Sequence, residues 1–338
     1  MLNLNTPEIK FALQAVRQAA MLVRQVQSEL VLTASPSMAG RAITKDDLSP
    51  VTVADFASQA LVGQLLARTF PDDPLVAEED SAALRASVDG QTLEQVVQFV
   101  SRFTPQADAV SVCNWIDHGR LDSAPRFWTL DPIDGTKGFL RGDQYAVALA
   151  LLVNGQVQIG VLGCPNLSDG YRPDMEGPGS LVIAVRSHGA WATHLSVPEH
   201  YERLHVSARN DPSEARILRS FESGHTNISQ VDLFAQDLGV QAEPVRMDSQ
   251  AKYAVLSAGK GDLLLRLLSP SRPDYREKIW DQAAGSLVLE EAGGRITDLD
   301  GKALDFSTGR SLTNNRGVLA SNGQLHSAAL SALRSIGA

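Results

Sequence analysis

The sequence predicts a mixed α/β fold, because helical and strand-like patterns alternate along its whole length. Apolar residues in the first segment follow helical spacing and predict a helix near residues 7–30. Asn154-Gly155, a strong two-residue hairpin turn, lies between two β-rich apolar segments. After Val197-Pro198, short apolar runs alternate with helical patterns to the end of the chain. These observations together favour packed layers of helices and sheets.

The remaining elements of the first half can be predicted in order along the chain. A second helix is expected near residues 55–69, followed by a polar, irregular stretch from 80 to 125. A strand at 126–131 leads into the hairpin, and a further strand is expected at 179–193. The Pro- and Gly-rich piece at 171–179 is typical of a surface loop.

The length of the chain and its change in pattern near residue 198 predict two domains. With 338 residues, the chain fits two packed domains or one large one. We expect the boundary near 195–205, with an N-terminal α+β domain over residues 1–198 and a C-terminal α/β domain over residues 199–338.

Composition and charge exclude several classes of function. The chain carries 30 basic and 39 acidic residues and has no basic run that would follow a phosphate backbone, so no nucleic acid partner is expected. The uncharged stretch from 144 to 168 is interrupted by the hairpin turn, so we predict no membrane span. Only Cys113 and Cys164 are present, and they favour a reducing, cytoplasmic compartment with buried thiols.

The six residues DPIDGT, 131–136, carry the clearest chemical signal. Asp131 and Asp134 stand three apart around Pro132, with a glycine and a threonine directly behind them. Two charged carboxylates packed together need water or a cation between them. The segment therefore predicts either a solvated turn or a cation site.

Further acids occur where a cation site would draw on them. Glu78 follows the apolar run LVA and is itself followed by Glu79 and Asp80, while Asp47 precedes a Ser-Pro-Val-Thr turn. Asp281 precedes a helix of small residues and is expected to be its N-cap. Hard oxygen donors without a histidine cluster or a CxxC motif favour Mg²⁺ over zinc.

Each of these acids also has a simpler interpretation. Alone, Asp281 is most often only a helix cap, and the acids at 78–80 are most often a solvated turn. Asp, Pro and Gly are the residues that turns prefer, so DPIDGT alone could be a turn. The occurrence of all these segments in one chain favours a shared site.

Taken together, these segments resemble the lithium-sensitive, magnesium-dependent phosphomonoesterases of the inositol monophosphatase superfamily. The matching segments are VAEED, LDPIDGTKGF and IWDQAAG, and longer forms such as DDLSPVTVADFASQ, GVLGCPNL and MDSQAKY look specifically like its 3′(2′),5′-bisphosphate nucleotidase branch. The resemblance implies an inositol-monophosphatase-like layered αβαβα sandwich whose two halves enclose the site.

The resemblance also implies a set of metal ligands. Glu78 and Asp131 would hold one Mg²⁺ together with the backbone carbonyl of Ile133. Asp131, Asp134 and Asp281 would hold a second ion. The expected cofactor is therefore two Mg²⁺ ions, with room for a third.

Other positions are implied to activate water and to bind the substrate phosphate. The third, weaker ion would lie near Glu78 and Asp47. Asp47 and Thr136 would form the pair that activates the attacking water, with Asp47 orienting the Thr136 hydroxyl. Gly135 would let backbone N–H groups approach the phosphate.

The remaining substrate contacts are expected from the C-terminal half. The resemblance implies nucleotide contacts at His225, Ser249, Lys252 and Arg266. Ser249 and Lys252 are three apart and would share one face of a helix. Without the resemblance, Arg266 could equally be an ordinary charge at a strand end and His225 an ordinary loop histidine.

The expected reaction is hydrolysis of the 3′-phosphate of adenosine 3′,5′-bisphosphate to AMP and phosphate, with 3′-phosphoadenylyl sulfate also accepted. One alternative is an inositol polyphosphate 1-phosphatase or inositol monophosphatase, which would share the metal ligands. Another is a non-catalytic nucleotide or metal sensor. The expected partner is a small nucleotide bisphosphate, bound by a monomer in the cytoplasm.

Overall fold

The computed structural model describes residues 5–32, 43–44, 50–51, 53–86, 90–221 and 228–338. Its helices are α1 (Pro7–Val26), α2 (Val53–Thr69), α3 (Ala82–Ala86), α4 (Gln91–Ser101), α5 (Ala109–Asp117), α6 (Thr136–Arg141), α7 (Ile228–Leu238), α8 (Ala251–Ser257), α9 (Ala283–Glu291) and α10 (His326–Ser335). The helix α1 continues as a π-helical segment, Gln27–Leu32, and Pro212–Glu214 is a 3₁₀ turn. The helices predicted near 7–30 and 55–69 are confirmed.

The strands are β1 (Ile43–Thr44), β2 (Pro50–Val51), β3 (Leu75–Ala77), β4 (Arg126–Asp134), β5 (Ala146–Val153), β6 (Gln156–Cys164), β7 (Leu167–Ser168), β8 (Arg172–Pro173), β9 (Ser180–Val185), β10 (Gly189–His194), β11 (Glu202–Arg203), β12 (Ile217–Arg219), β13 (Val245–Arg246), β14 (Leu263–Arg266), β15 (Arg295–Thr297) and β16 (Val318–Ser321). Among the described residues they form a large sheet, ordered β11-β10-β9-β6-β5-β4-β3, and a small sheet, ordered β13-β12-β14-β16-β15. Two further antiparallel pairs, β1 with β2 and β7 with β8, stand apart.

The hairpin between β5 and β6 is confirmed. Asn154 and Gly155 have φ values of 50° and 73°, the left-handed conformation that a type I′ turn requires at both central positions. The strand predicted at 179–193 is wrong in extent, because it divides into the antiparallel strands β9 and β10. The turn between them has positive φ at Ser187 and Gly189, and the apolar pattern on both sides masked this break.

The prediction of an irregular stretch from 80 to 125 is wrong, because α3, α4 and α5 lie within it. In α4, Val96, Phe99 and Val100 are buried at helical spacing, and Leu93 and Val97 are partly buried beside them. The helix α5 begins with a capping box, in which Asp108 accepts a hydrogen bond from the backbone N–H of Ser111. High overall polarity hid these signals.

The helices and sheets stack in five layers. On one side of the large sheet lie α1 and α2, which pack on Trp128, Leu130 and their neighbours. The opposite face and the small sheet enclose α8 and α9, and α7 and α10 cover the outer face of the small sheet. The layered αβαβα sandwich predicted from the sequence is therefore confirmed. None of the described helices combines the length and the apolar character that crossing a bilayer requires.

The close packing between α8 and α9 generates a prediction about stability. A Cβ atom added at Gly285 would lie 2.2 Å from Cδ2 of Tyr253, whose buried hydroxyl donates to Gln282. We expect Gly285→Ala to lower the free energy of unfolding by roughly 1–3 kcal/mol, although alanine favours helices. Urea unfolding measures this, with Gln98→Ala on the exposed face of α4 as the control. Equal stability of Gly285→Ala and the wild type would contradict the packing.

Candidate active site

The predicted acids come together in a cavity of about 570 Å³ between the carboxyl end of β3 and β4 and the C-terminal half of the chain. The predicted site residues that line it are Glu78, Asp131, Ile133, Asp134, Gly135, Thr136, Ser249, Lys252, Arg266 and Asp281. Asp47 and His225 lie outside the described residues. Distant parts of the sequence thus meet at one cavity.

Parallel pairing brings Glu78 and Asp131 to the same sheet edge. In the β3–β4 ladder, Ala77 pairs with Leu130, so the next residue on each strand is an acid. The buried side chain of Gln59 in α2 holds the chain just beyond Glu78. Its amide donates to the Glu79 carbonyl at 2.6 Å, and its oxygen accepts from the Glu79 backbone N–H at 3.0 Å. The position of Glu78 is therefore set by α2 as well as by the sheet.

A β-bulge puts Asp131 and Asp134 on the same face of the large sheet. They pair with Ala148 and Ala146 of β5, so three steps along β4 match two along β5. Residues three apart would otherwise point to opposite faces. Both alanines belong to the core on the α8–α9 side, which is the side of the cavity. The DPID spacing is thus the spacing that a bulge needs to present two acids together.

Burial and mutual repulsion disfavour the charged form of these carboxylates. Asp131 is only 2% exposed, and its Oδ1 atom has no hydrogen-bond partner among the described residues. Burial, and then the charges of Glu78, Asp134 and Asp281, raise the pKa of Asp131 well above its ordinary value. Burial and the charge of Asp134 do the same to the pKa of Asp281. Burial and mutual repulsion thus outweigh the opposing charge of Arg266 at Asp281.

Asp134 is held at the junction of the two halves of the chain. Burial raises its pKa, although Lys252 and Arg266 act in the opposite direction. Its Oδ2 atom accepts a hydrogen bond of 2.6 Å from the backbone N–H of Gln250, just before α8. Asp134 therefore connects the acidic side of the cavity with the basic side.

The donor set fits a hard divalent cation. Carboxylate oxygens, one of them buried without a partner, are the ligands that Mg²⁺ prefers. Within the described ranges, no three His, Cys, Asp or Glu side chains already converge as a ready metal site. Like-charged carboxylates repel one another, and Asp134 is engaged by a backbone N–H. Among the described residues, the acids share a cavity without forming a closed ligand shell.

Thr136 lies beside these acids, at the start of α6. Its hydroxyl is 3.2 Å from the carbonyl oxygen of Ile133 and 3.4 Å from Oδ1 of Asp55. Asp55 is buried in the first turn of α2 and did not emerge from the sequence analysis. Its neighbours Ala54 and Phe56 are buried as well, and an acid inside an apolar helical segment could have signalled its importance.

Gly135 is required by a close approach between the two halves. It has a φ of 90°, and a Cβ atom at this position would lie 2.9 Å from the Cβ of Ser249. Ser249 has a φ of 65° and precedes α8, which begins at Ala251. The expectation that Ser249 and Lys252 share a helix face is therefore wrong. Both nevertheless line the cavity, because the tight turn at Ser249 directs the chain past Gly135.

The expectation that Asp281 caps a helix is also wrong. The helix α9 begins at Ala283, its N-cap is Gln282, and no side chain caps it. Asp281 lines the cavity instead. The location of Asp281 therefore agrees better with a role in a cation site than with a role as a helix cap.

Two cations, one buried and one partly buried, form the opposite wall. Lys252 is 6% exposed and its Nζ donates to Oγ of Ser220 at 2.9 Å. Burial, and then repulsion from Arg266, lower the pKa of Lys252 to about 8. Arg266, at the end of β14, pairs with Glu277 at 2.9 Å. The cavity thus has an acidic wall suited to cations and a basic wall suited to anions.

Several other lining residues were missed by the sequence analysis. Arg310 donates to the carbonyl oxygen of Ala77, directly before Glu78, and its guanidinium lies 4.9 Å from the ring centre of Trp280. Its location far along the chain left no sequence signal. The other missed residues include Lys137, Asp248, Arg272, Tyr275, Glu277 and Lys278.

Comparison with known proteins places the chain among characterised relatives. The family model described as the inositol monophosphatase family matches residues 4–338. The 3′(2′),5′-bisphosphate nucleotidase of Schizosaccharomyces pombe is 42% identical, over 93% of this chain and 91% of its own. The 3′(2′),5′-bisphosphate nucleotidase of Oryza sativa is 41% identical, over 97% and 93%.

Solved structures show the same fold at lower identity. An inositol monophosphatase from Anabaena (Nostoc) has a TM-score of 0.60 and 21% identity, covering 96% of this chain and 94% of its own. CysQ from Bacteroides thetaiotaomicron, described as a bacterial member of the inositol monophosphatase family, has a TM-score of 0.58 and 17% identity, covering 95% and 99%.

The repulsion among the carboxylates predicts how stability depends on pH and Mg²⁺. A carboxyl group whose pKa is raised by folding stays protonated at pH values at which the unfolded state has already lost that proton. The contribution of this carboxyl group to stability therefore falls as the pH rises through its pKa in the folded state. In EDTA, we expect Asp131→Asn to exceed the wild type in free energy of unfolding by about 1 kcal/mol or more near pH 7.5, and by less near pH 5.5.

Urea unfolding at both pH values measures this difference, and the comparison cancels the opposing effects of His118 and His326, whose pKa burial lowers. Saturating Mg²⁺ should then stabilise the wild type more than Asp131→Asn, because the variant has lost a carboxylate that can bind the ion. An Asp131→Asn protein that is less stable in EDTA at the higher pH would show that the carboxylates do not repel.

Proposed function

This chain belongs to the inositol monophosphatase family, and we propose that it is a 3′(2′),5′-bisphosphate nucleotidase. The reaction is hydrolysis of the 3′-phosphate of adenosine 3′,5′-bisphosphate to AMP and phosphate, with 3′-phosphoadenylyl sulfate as a second substrate. One observation carries the proposal: a single cavity combines a cluster of carboxylates with a separate wall formed by Lys252 and Arg266. A substrate with two separated phosphates matches both walls, and relatives at about two-fifths identity carry this name.

We propose Mg²⁺ as the cofactor, in two or three ions. Glu78 and Asp131, with the carbonyl oxygen of Ile133, would hold one ion, and Asp131, Asp134 and Asp281 would hold another. When bound, Mg²⁺ supplies positive charge that offsets the phosphate oxygens and makes water more acidic. The unpartnered Oδ1 of Asp131 supports this assignment.

The chain's own contribution to the reaction is mainly positioning, since phosphoryl transfer leaves little covalent work to side chains. The Thr136 hydroxyl would orient the attacking water, and Asp47 would orient that hydroxyl. The Thr136 hydroxyl also contacts Oδ1 of Asp55 at 3.4 Å, so Asp55 would help to orient it. Gly135 would let backbone N–H groups approach the phosphate. A larger residue at this position would also meet Ser249. No phosphorylated enzyme is needed.

The basic wall would bind the end of the substrate that does not react. Lys252 and Arg266 would hold the 5′-phosphate, with Ser249 and His225 as further nucleotide contacts. Charge-assisted hydrogen bonds to phosphate are stronger than neutral ones. Binding energy from this remote phosphate would place the 3′-phosphate against the carboxylate wall, where it reacts.

We further propose that the enzyme acts as a monomer in the cytoplasm, with a domain boundary near residue 198. Cys113 and Cys164 are both free and buried, in keeping with a reducing compartment.

The metal ligands generate the first prediction about activity. Asp134→Asn or Asp281→Asn should lower kcat/KM for adenosine 3′,5′-bisphosphate by roughly 10³ or more, about 4 kcal/mol of transition-state stabilisation, because each variant loses a negatively charged ligand. Phosphate release with and without Mg²⁺ measures the loss. Asp237→Asn on the exposed surface of α7 is the matched control. Near-wild-type activity of either variant at saturating Mg²⁺ would contradict the assignment.

The basic wall generates a prediction about substrate preference. We expect kcat/KM for adenosine 3′,5′-bisphosphate to exceed that for inositol 1-phosphate and fructose 1,6-bisphosphate by at least about 10², because a phosphate contact of this kind contributes roughly 1.5–3 kcal/mol. Lys252→Ala and Arg266→Ala should each reduce this preference. Initial rates on the three substrates test it. A wild type that prefers inositol phosphates would refute the nucleotidase proposal and leave the metal-dependent phosphatase intact.

A further inference from the structure

The carboxylate of Glu277 contacts the guanidinium of Arg266 along one edge. The Nη2 atom of Arg266 lies 2.9 Å from Oε2 of Glu277, and its Nε lies 3.4 Å from Oε1. Glu277 is only 4% exposed, whereas Arg266 reaches the cavity. A carboxylate that takes two neighbouring nitrogens of a planar guanidinium determines the direction in which the group points.

Glu277 is itself rigidly held. Its Oε2 atom also accepts a 2.8 Å hydrogen bond from Nε2 of Gln282, and the oxygen of that amide accepts from the buried hydroxyl of Tyr253. The backbone carbonyl of Glu277 accepts from the N–H of Leu312 at 2.9 Å. Because the carboxylate is anchored independently of Arg266, Glu277 orients Arg266 rather than the reverse.

Without Glu277, the guanidinium would have other carboxylates to approach. Arg266 interacts electrostatically with Asp134 and Asp281, and its charge opposes the rise in the pKa of both. It also repels the buried Lys252, whereas Glu277 attracts that lysine. The position of Glu277 thus keeps the guanidinium of Arg266 in the basic wall and away from Asp134 and Asp281.

We propose that Glu277 is a positioning residue that holds Arg266 in the basic wall and so sets the preference for a substrate with a second phosphate. The inference rests on the proposed function, since it assumes that Arg266 binds the remote phosphate. Glu277 borders the cavity, but it is only 4% exposed and its carboxylate is engaged by Arg266 and Gln282. Its effect passes through Arg266, and the discriminating measurement is therefore a comparison of substrates with and without that phosphate.

The test compares adenosine 3′,5′-bisphosphate with 3′-AMP, which lacks only the 5′-phosphate. Glu277→Gln keeps the shape of the side chain but removes its charge and replaces one acceptor oxygen by a donor. Even if the amide oxygen takes the place of Oε2 and keeps the contacts with Nη2 of Arg266 and with Gln282, an NH₂ group then faces Nε of Arg266, so the two-point contact along the guanidinium edge is lost. We expect KM for the bisphosphate to rise about tenfold or more with kcat within about threefold, and kcat/KM for 3′-AMP to fall less than about threefold. Glu214→Gln, at an exposed ion pair, controls for loss of a negative charge.

A double variant shows whether the effect passes through Arg266. In an Arg266→Ala background, Glu277→Gln should change KM for the bisphosphate by less than about twofold, because the group that it positions is gone. The double variant also removes both members of the buried pair, which proteins tolerate better than the loss of one. Gln282→Met, which frees one oxygen of Glu277, provides a second route if Glu277→Gln does not fold. It should raise KM for the bisphosphate alone, by about threefold.

The outcomes separate this inference from the proposed function. A wild type that does not prefer the bisphosphate to 3′-AMP would refute the proposed function. A wild type that does, combined with equal losses on both substrates in Glu277→Gln, would refute the positioning role. An undiminished effect of Glu277→Gln in the Arg266→Ala background would also refute it.

Discussion

The structure depends on one electrostatic constraint, which is the crowding of several like-charged carboxylates, with Asp131 buried among them, at one end of the large sheet. Asp131 and Asp281 have strongly raised pKa values because burial and neighbouring acids disfavour their charged forms. Such a cluster is costly without a cation, and the surrounding fold holds it in place. Gln59 anchors the chain beyond Glu78, and Ser58 donates to the carbonyl oxygen of Pro132 inside the DPIDGT loop.

The basic wall is the counterpart of this constraint. Lys252 and Arg266 are too deeply placed for ordinary surface charges, and Arg266 is compensated by Glu277. The two walls meet where the backbone N–H of Gln250 donates a hydrogen bond to Oδ2 of Asp134. Acids and cations separated within one cavity allow a substrate to be held at one end and hydrolysed at the other.

Some predictions from the sequence succeeded because the controlling interactions are local. The Asn154-Gly155 turn needs only two residues with positive φ, and the apolar spacing of α1 needs only its own segment. Others failed where a local pattern competed with a tertiary one. Asp281 has the residue type of an N-cap but lines the cavity, and Ser249 adopts a left-handed turn before α8. The helices between 80 and 125 were missed because they are short and polar segments separate them.

By itself, the sequence determined the α/β class, the hairpin, the family and the acids of the cavity, because these depend on residue type and spacing along the chain. The tertiary structure alone decided which distant residues meet. The bulge in β4 turns Asp131 and Asp134 to the same face of the large sheet, and the fold places the Thr136 hydroxyl 3.4 Å from Oδ1 of Asp55. Arg310 reaches the strand before Glu78, and Glu277 holds Arg266. Such contacts depend on register, burial and the orientation of side chains, which no spacing in a single chain specifies.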